Sequence, residues 1–215
     1  MNTPAHPRSP ATPPPIVVIV DDEAAIREAL DSLFRSIGLR TLSFASPAEL
    51  LQAAVPDGPG CLILDVRLPG ISGLDLQDQL ARHGIALPIV FMTGHGDIPM
   101  SVRAMKAGAV DFLPKPFRDQ DMLDAVAAAI ERDTQRRAEA SALDEVRARY
   151  ATLTPREREV MAHVASGLMN KQVAGLIGLS EITVKIHRGN VMRKMGVRTL
   201  ADLVRQAQAL GVATG

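Results

Sequence analysis

Short apolar runs constrain the fold of this chain more than any other feature. Residues 16–20 (IVVIV), 61–64 (CLIL) and 89–92 (IVFM) are wholly apolar, and 110–113 (VDFL) is nearly so. Runs of four or five residues rich in β-branched side chains read as strands buried on both faces, the pattern of a parallel sheet. Each run stops at a polar residue. The first ends at Asp21-Asp22, the second at Asp65 and the third at Thr93; Lys115 follows the fourth after one proline. A charged group at the end of a buried strand costs energy unless a partner compensates it.

Helical spacing fills the intervals. Ile26, Leu30, Leu33, Phe34 and Ile37 recur at three- and four-residue steps before Gly38, the stop signal of a helix. Residues 39–44 alternate as a further strand. Ser46-Pro47 follows as a helix start, with the serine as cap and the proline at the first helical position. Helices are predicted near 74–82 and 98–106, and another begins near Asp119. The result is a (βα)₅ order, an α/β domain with a five-stranded parallel sheet of flavodoxin-like type and helices on both faces. In such sheets the carboxyl ends of the strands line the ligand crevice. Asp21, Asp22, Asp65, Thr93 and Lys115 should therefore converge there.

Those residue types point to one chemistry. Clustered carboxylates repel and need a cation, and oxygen ligands at a small site suit Mg²⁺. With a lysine nearby, a carboxylate can accept a phosphoryl group as an acyl phosphate, and the Thr93 hydroxyl can then bond a phosphoryl oxygen. Taken singly, Asp65 reads equally as a loop cap and Phe112 as an ordinary core aromatic.

The net charge is zero, but it is unevenly spread. Residues 1–130 hold 10 basic and 15 acidic side chains, and residues 153–215 hold 9 and 4. An acidic front and a basic back suggest two domains with different partners, the second of them nucleic acid. One cysteine excludes a disulfide framework and fits a reducing cytoplasm; Cys61 lies in an apolar run and reads as a core filler. No apolar run reaches membrane-spanning length. Aromatic residues total 3%, too few for base-stacking platforms.

Residues 1–15 carry six of the fifteen prolines and read as a disordered tail. Residues 119–152 read as one long helix or two broken ones. Within them Leu143, Val146 and Tyr150 form, with Leu153, a stripe that fits either a coiled coil between subunits or a linker resting on its own domain. The remainder is all-α. Thr154-Pro155 with Glu157 forms a capping box, a helix spans about 170–177, Ser180 caps a third and Thr199 a fourth. Two helices joined by Gly178-Leu179-Ser180 are a helix-turn-helix signature. In the third helix Val184, His187, Val191 and Met195 form a core stripe, while Ile182, Lys185, Ile186, Gly189 and Arg193 face the other way.

The motifs VDDE (20–23), LDVRLPGISG (64–73), MTGHGD (92–97) and GAVDFLPKPF (108–117) resemble the receiver domain of bacterial two-component response regulators. The resemblance implies that Asp65 is the phosphoacceptor. It gives Mg²⁺ the carboxylates of Asp21, Asp22 and Asp65 and the Arg67 main-chain carbonyl. Thr93 and Phe112 become the switch pair, Lys115 the phosphoryl partner, and the Lys115-Pro116 bond is expected to be cis. Arg67 and His95 flank the site. LTPREREVM (153–161) and GLMNKQVAGLIGLSEITVKIHRGNVMRKM (167–195) resemble the LuxR-type output domain of the NarL/FixJ family, and the whole chain is most similar to its FixJ/StyR-like branch. That implies DNA contacts from Asn170, Lys171, Thr183 and Lys185, and from Ile186, Arg188 and Gly189. His187 is read as packing, not as a metal ligand. Some relatives carry a basic residue at the position of Gly189, and the sequence departs from them there.

The expected organisation is a tail (1–15), receiver (16–130), helical linker (131–152) and helix-turn-helix domain (153–215). The expected function is a cytoplasmic, phosphorylation-activated transcription factor rather than an enzyme. Its partners would be a sensor histidine kinase, double-stranded promoter DNA, a second copy on phosphorylation through the 98–113 face, and RNA polymerase. Two readings compete. Aspartyl-phosphate phosphatases resembling haloacid dehalogenases carry a second Asp two residues after the nucleophile, where this chain has Arg67. A constitutive DNA-binding protein with the receiver as dimerisation scaffold would not need the full Asp, Thr and Lys set.

Overall fold

The computed structural model describes residues 13–68, 71–72, 76, 79–80, 82–94 and 98–212. The chain divides into two compact units, Met1–Arg137 and Ala138–Gly215. In the first, the strands are β1 (Ile16–Val20), β2 (Arg40–Phe44), β3 (Gly60–Asp65), β6 (Ile89–Thr93) and β7 (Asp111–Pro114), with β4 (Arg67–Leu68) and β5 (Ile71–Ser72) as a separate short pair. The five long strands form one parallel sheet in the order β2-β1-β3-β6-β7. The three wholly apolar runs take the three central places, where both faces are covered. The alternating run 40–44 is an edge strand, half-exposed along its length.

Alternation of side chains splits the sheet residues between two cores. Val17, Ile19, Cys61, Ile63, Val90 and Met92 pack under α1 (Ala24–Ser36) and the start of α4 (Asp119–Ala151). Val18, Val20, Leu62, Leu64 and Phe91 pack on the other face with Leu50 of α2 (Pro47–Gln52), Ala104 of α3 (Ile98–Lys106), and Leu76 and Leu80. Of the helix expected at 74–82, Leu76, Gln79, Leu80 and Arg82 are helical; the rest lies outside the described residues, as do residues 1–12 of the expected tail, the Pro69-Gly70 break and His95. The thiol of Cys61 is fully buried, and burial, aided by the nearby Asp133 carboxylate, pushes its pKa up to about 12. It is a core filler.

The segment left open as one helix or two is one helix of 33 residues, α4. Its first turns supply Met122, Ala125, Val126 and Ala129 to the receiver-side core. Asp133, one turn on, is fully buried. Its carboxylate accepts from the Gly60 main-chain N–H at 3.0 Å, from Arg136 at 2.6 Å and from Arg137 at 2.8 Å. Gly60 is required there, because a Cβ would stand 2.5 Å from the Ile16 carbonyl oxygen.

The second unit is built on α5 (Pro155–Ala165), α6 (Asn170–Ile177), α7 (Glu181–Met195) and α8 (Leu200–Ala209) around Val160, Met161, Val173, Val184, Val191, Met195 and Leu203. Val146 and Tyr150 pack against this core and Leu153 is part of it. The capping box forms: Thr154 N–H donates to Glu157 at 2.8 Å, and the Thr154 hydroxyl accepts from Glu157 N–H at 3.3 Å. Gly178 ends α6 with φ 67°, a left-handed conformation that side chains disfavour, and the Ser180 hydroxyl caps α7 by accepting from Thr183 N–H at 3.1 Å.

Glu157 does a second job that its place in the sequence did not disclose. Its carboxylate accepts from Lys194 Nζ at 2.6 Å, tying the end of α7 to the start of α5. Lys194 holds the Glu157 pKa below its ordinary 4.5, against the opposing effect of burial. A depressed folded-state pKa stabilises above the unfolded value and is lost as pH falls through the folded one. Glu157→Gln keeps the capping geometry and removes only the charge. It should cost about 1 kcal/mol at pH 7, the margin of a charge-assisted over a neutral hydrogen bond. Below pH 4.5 the gap between variant and wild type should close, as thermal melts across pH would read.

Candidate functional site

The parallel register delivers the polar strand ends to one edge of the sheet. Val20 pairs with Leu64, Asp65 with Met92, and Thr93 with Pro114, so the residues following β1 and β7 stand beside those ending β3 and β6. Asp21 is fully buried, Asp65 is 5% exposed and Thr93 is fully buried; Asp22 is open to solvent. Carboxylate oxygens of Asp21, Asp22 and Asp65 lie within 4.8 Å of one another, and no other trio of this kind occurs among the described residues.

Lys115 reaches into this cluster. Its Nζ donates to Asp21 Oδ2 at 2.7 Å and to Asp65 Oδ2 at 2.6 Å, with Glu23 Oε1 at 3.6 Å. Its main-chain N–H donates to the Thr93 carbonyl at 2.7 Å, and the Lys115-Pro116 peptide is cis. The remaining carboxylate oxygens are held from the backbone: Asp21 Oδ1 accepts from Glu23 N–H at 2.9 Å and Asp65 Oδ1 from Arg67 N–H at 2.8 Å. Arg67 begins β4, which pairs with β5 through Arg67↔Ser72 and Leu68↔Ile71. This short pair had no signature in the sequence, since two-residue strands carry no periodicity. Glu23 was likewise not expected at the site.

The charges do not balance. Burial pushes the Asp21 carboxyl up, against the opposing pull of Lys115. Burial works against the Lys115 ammonium, yet its hydrogen bonds to Asp21 and Asp65 outweigh that and raise its pKa. Lys115 is thus one ammonium shared among the carboxylates of Asp21, Asp65 and Glu23. The donor set, hard oxygens clustered at a partly open crevice, fits a divalent cation of the Mg²⁺ kind. Phe112, on β7, is half-buried, with its ring centroid 6.5 Å from that of Phe91 at a tilt of 47°. It lies at the cluster of core residues beneath α3, whose Val102 and Met105 are 45% and 46% exposed.

In the second unit the outward face of α7 is as the spacing predicts. Ile182 is 74% and Ile186 59% exposed, and Lys185, Gly189 and Arg193 are exposed beside them. Apart from its chain neighbours and its own helix backbone, no atom lies within 4 Å of where a Gly189 Cβ would stand, so packing inside the domain does not require glycine there. Lys171 is exposed and Thr183 half-buried in the first turn of α7. Asn170 and Arg188, both expected on DNA, also hold each other: Arg188 Nη1 donates to Asn170 Oδ1 at 3.2 Å, joining α7 to the N-terminus of α6. His187 is half-buried on the core side.

Comparison with known proteins places both units. Residues 17–127 match the response regulator receiver domain, and residues 151–207 match the bacterial regulatory proteins of the luxR family. Nodulation protein W of Bradyrhizobium diazoefficiens is 58% identical over 92% of this chain and 87% of its own length. Response regulator protein TodT of Pseudomonas putida is 48% identical over 91% and 86%. The solved structure of response regulator StyR superposes with a TM-score of 0.79 at 46% identity, covering 91% of this chain and 98% of that one. The sheet, its acidic edge and the helix-turn-helix thus have one origin: the chain belongs to the transcriptional response regulators of the NarL/FixJ type, a receiver domain followed by a LuxR-family DNA-binding domain.

Proposed function

We propose that Asp65 accepts a phosphoryl group from a sensor histidine kinase and that this drives dimerisation and promoter binding. The observation that carries the reading is the placement of Asp65 within hydrogen-bonding reach of Lys115 and beside Asp21. In the transfer, the donor's bond to phosphorus breaks as a bond forms from an Asp65 carboxylate oxygen. Asp21, Asp22, Asp65 and the Arg67 carbonyl would hold Mg²⁺, which offsets the negative charge of the incoming group. Lys115 exchanges carboxylate for phosphoryl oxygens, and the Thr93 hydroxyl turns to the phosphoryl group. Phe112 then follows Thr93 inward, and the 98–113 face becomes competent for a second copy. Such a switch shifts a two-state equilibrium only by the differential contacts it creates. The division into receiver (16–130), helical linker (131–152) and DNA-binding domain (153–215) is supported by the extents of the two family matches. The product is a regulatory state in the cytoplasm that acts on RNA polymerase at promoters. No described helix is long and apolar enough to cross a membrane.

Genomic footprinting with and without acetyl phosphate and Mg²⁺ tests the coupling. Paired half-sites should appear only with the donor; identical footprints would refute it. On the sites recovered, Lys185 and Arg188 should separate. Lys185 is exposed on the half of α7 that enters the groove, so Lys185→Ala should cost about 1–3 kcal/mol at particular base pairs. Arg188, anchored to Asn170, sits where it can reach phosphate, so Arg188→Ala should weaken all sequences alike and lower the salt slope by about one. Equal losses with equal salt slopes on specific and scrambled DNA would defeat this division.

A further inference from the structure

We infer that Arg27 is the positioning residue of the acidic pair, setting the affinity of the receiver for its divalent cation through the main chain of Asp21 and Asp22. The inference rests on the proposed Mg²⁺ site. Arg27 Nη1 donates to the Asp21 carbonyl at 2.7 Å and to the Asp22 carbonyl at 3.0 Å. Its own main-chain N–H donates to the Glu23 carbonyl at 3.2 Å, so the guanidinium is projected from the first turn of α1. It is half-buried.

The two carboxylates depend on this clamp unequally. That of Asp21 is fixed by Lys115 and by the Glu23 amide. That of Asp22 is exposed and accepts no hydrogen bond among the described residues, so its direction is inherited from its backbone. Glu23, which precedes α1, makes no side-chain capping bond. α1 therefore starts without a side-chain cap, and beside the Asp21 carboxylate on the Glu23 amide it is Arg27 that anchors the turn from β1 into α1, from inside the helix. Groups that orient metal ligands without touching the metal change its affinity by about 10–100-fold when removed.

Charge alone predicts the opposite sign. A guanidinium beside a cation site repels the cation, so its loss should tighten binding if Arg27 acts only by Coulomb's law. The sign of the change therefore discriminates position from charge. Isothermal titration of MgCl₂ into the full-length, unphosphorylated protein reads it. Arg27→Gln should weaken Mg²⁺ binding about tenfold. Arg27→Lys keeps the charge but replaces the forked, planar donor by a shorter ammonium, and should weaken binding several-fold. With acetyl phosphate as donor, both variants should need more Mg²⁺ for half-maximal phosphorylation yet reach the wild-type rate at saturation. Unchanged or tighter binding in Arg27→Gln overturns the inference. Should that variant not fold, unchanged affinity in Arg27→Lys overturns it equally. Wild-type protein that binds no Mg²⁺ would overturn the site reading itself, and this inference with it.

Discussion

Asp65→Asn is expected to leave the chain without any phosphoryl adduct after incubation with acetyl phosphate and Mg²⁺, as intact mass would show. The wild type should gain one adduct, with release of acetate, and EDTA should prevent it. The substitution keeps the shape of the side chain and an oxygen for the Arg67 amide, but a neutral amide is not the nucleophile that a carboxylate is. It should not unfold the receiver. Asp65 and Asp21 share one ammonium at 2.6 and 2.7 Å, and removing one of two crowded negative charges relieves repulsion while Lys115 keeps the other. A variant that melts like the wild type and takes no phosphate assigns the chemistry to this oxygen. An adduct on Asp65→Asn would sink the assignment.

The largest effect on stability is expected at Asp133, far from that chemistry. Asp133→Ala strands the Gly60 N–H, a buried donor whose desolvation costs about 1–3 kcal/mol. Arg136 and Arg137 are 47% and 31% exposed in their side chains and can turn to water, so they add less than a sealed ion pair would. The loss should fall in the upper part of that range and should appear as faster amide exchange along β3, which starts at Gly60. Asp133→Asn retains an acceptor for Gly60 and should lose clearly less. Equal exchange in both variants would mean that the Gly60 contact contributes nothing.

The contrast between these two aspartates shows what the sequence could disclose. Asp65 announces itself because it interrupts a buried run, and the other strand ends repeat the pattern. The sheet and the four C-terminal helices follow from the same kind of local signal: β-branched runs, caps at Ser46, Thr154, Ser180 and Thr199, and a glycine after α6. Asp133 sits in a charged stretch that spacing presents as solvated linker. Its partner is 73 residues away at Gly60, and periodicity reports which face is apolar, not which polar atoms meet across the fold. Lys194 with Glu157, Arg188 with Asn170, and Arg27 with the Asp21 and Asp22 carbonyls were hidden for the same reason. The β4–β5 pair was too short to be seen at all.

Cys61 gives the sheet a built-in clock. It is the only thiol in the chain, it lies at zero exposure one residue into the central strand β3, and a pKa of about 12 leaves almost no thiolate at neutral pH. A disulfide reagent can reach it only when β3 opens. The rate of labelling, divided by the rate for an unstructured cysteine peptide, therefore gives the fraction of time the strand spends open. The same silence means that one cysteine placed on the surface would be the sole site of a spectroscopic label, so opening and signalling can be followed in one unmodified background.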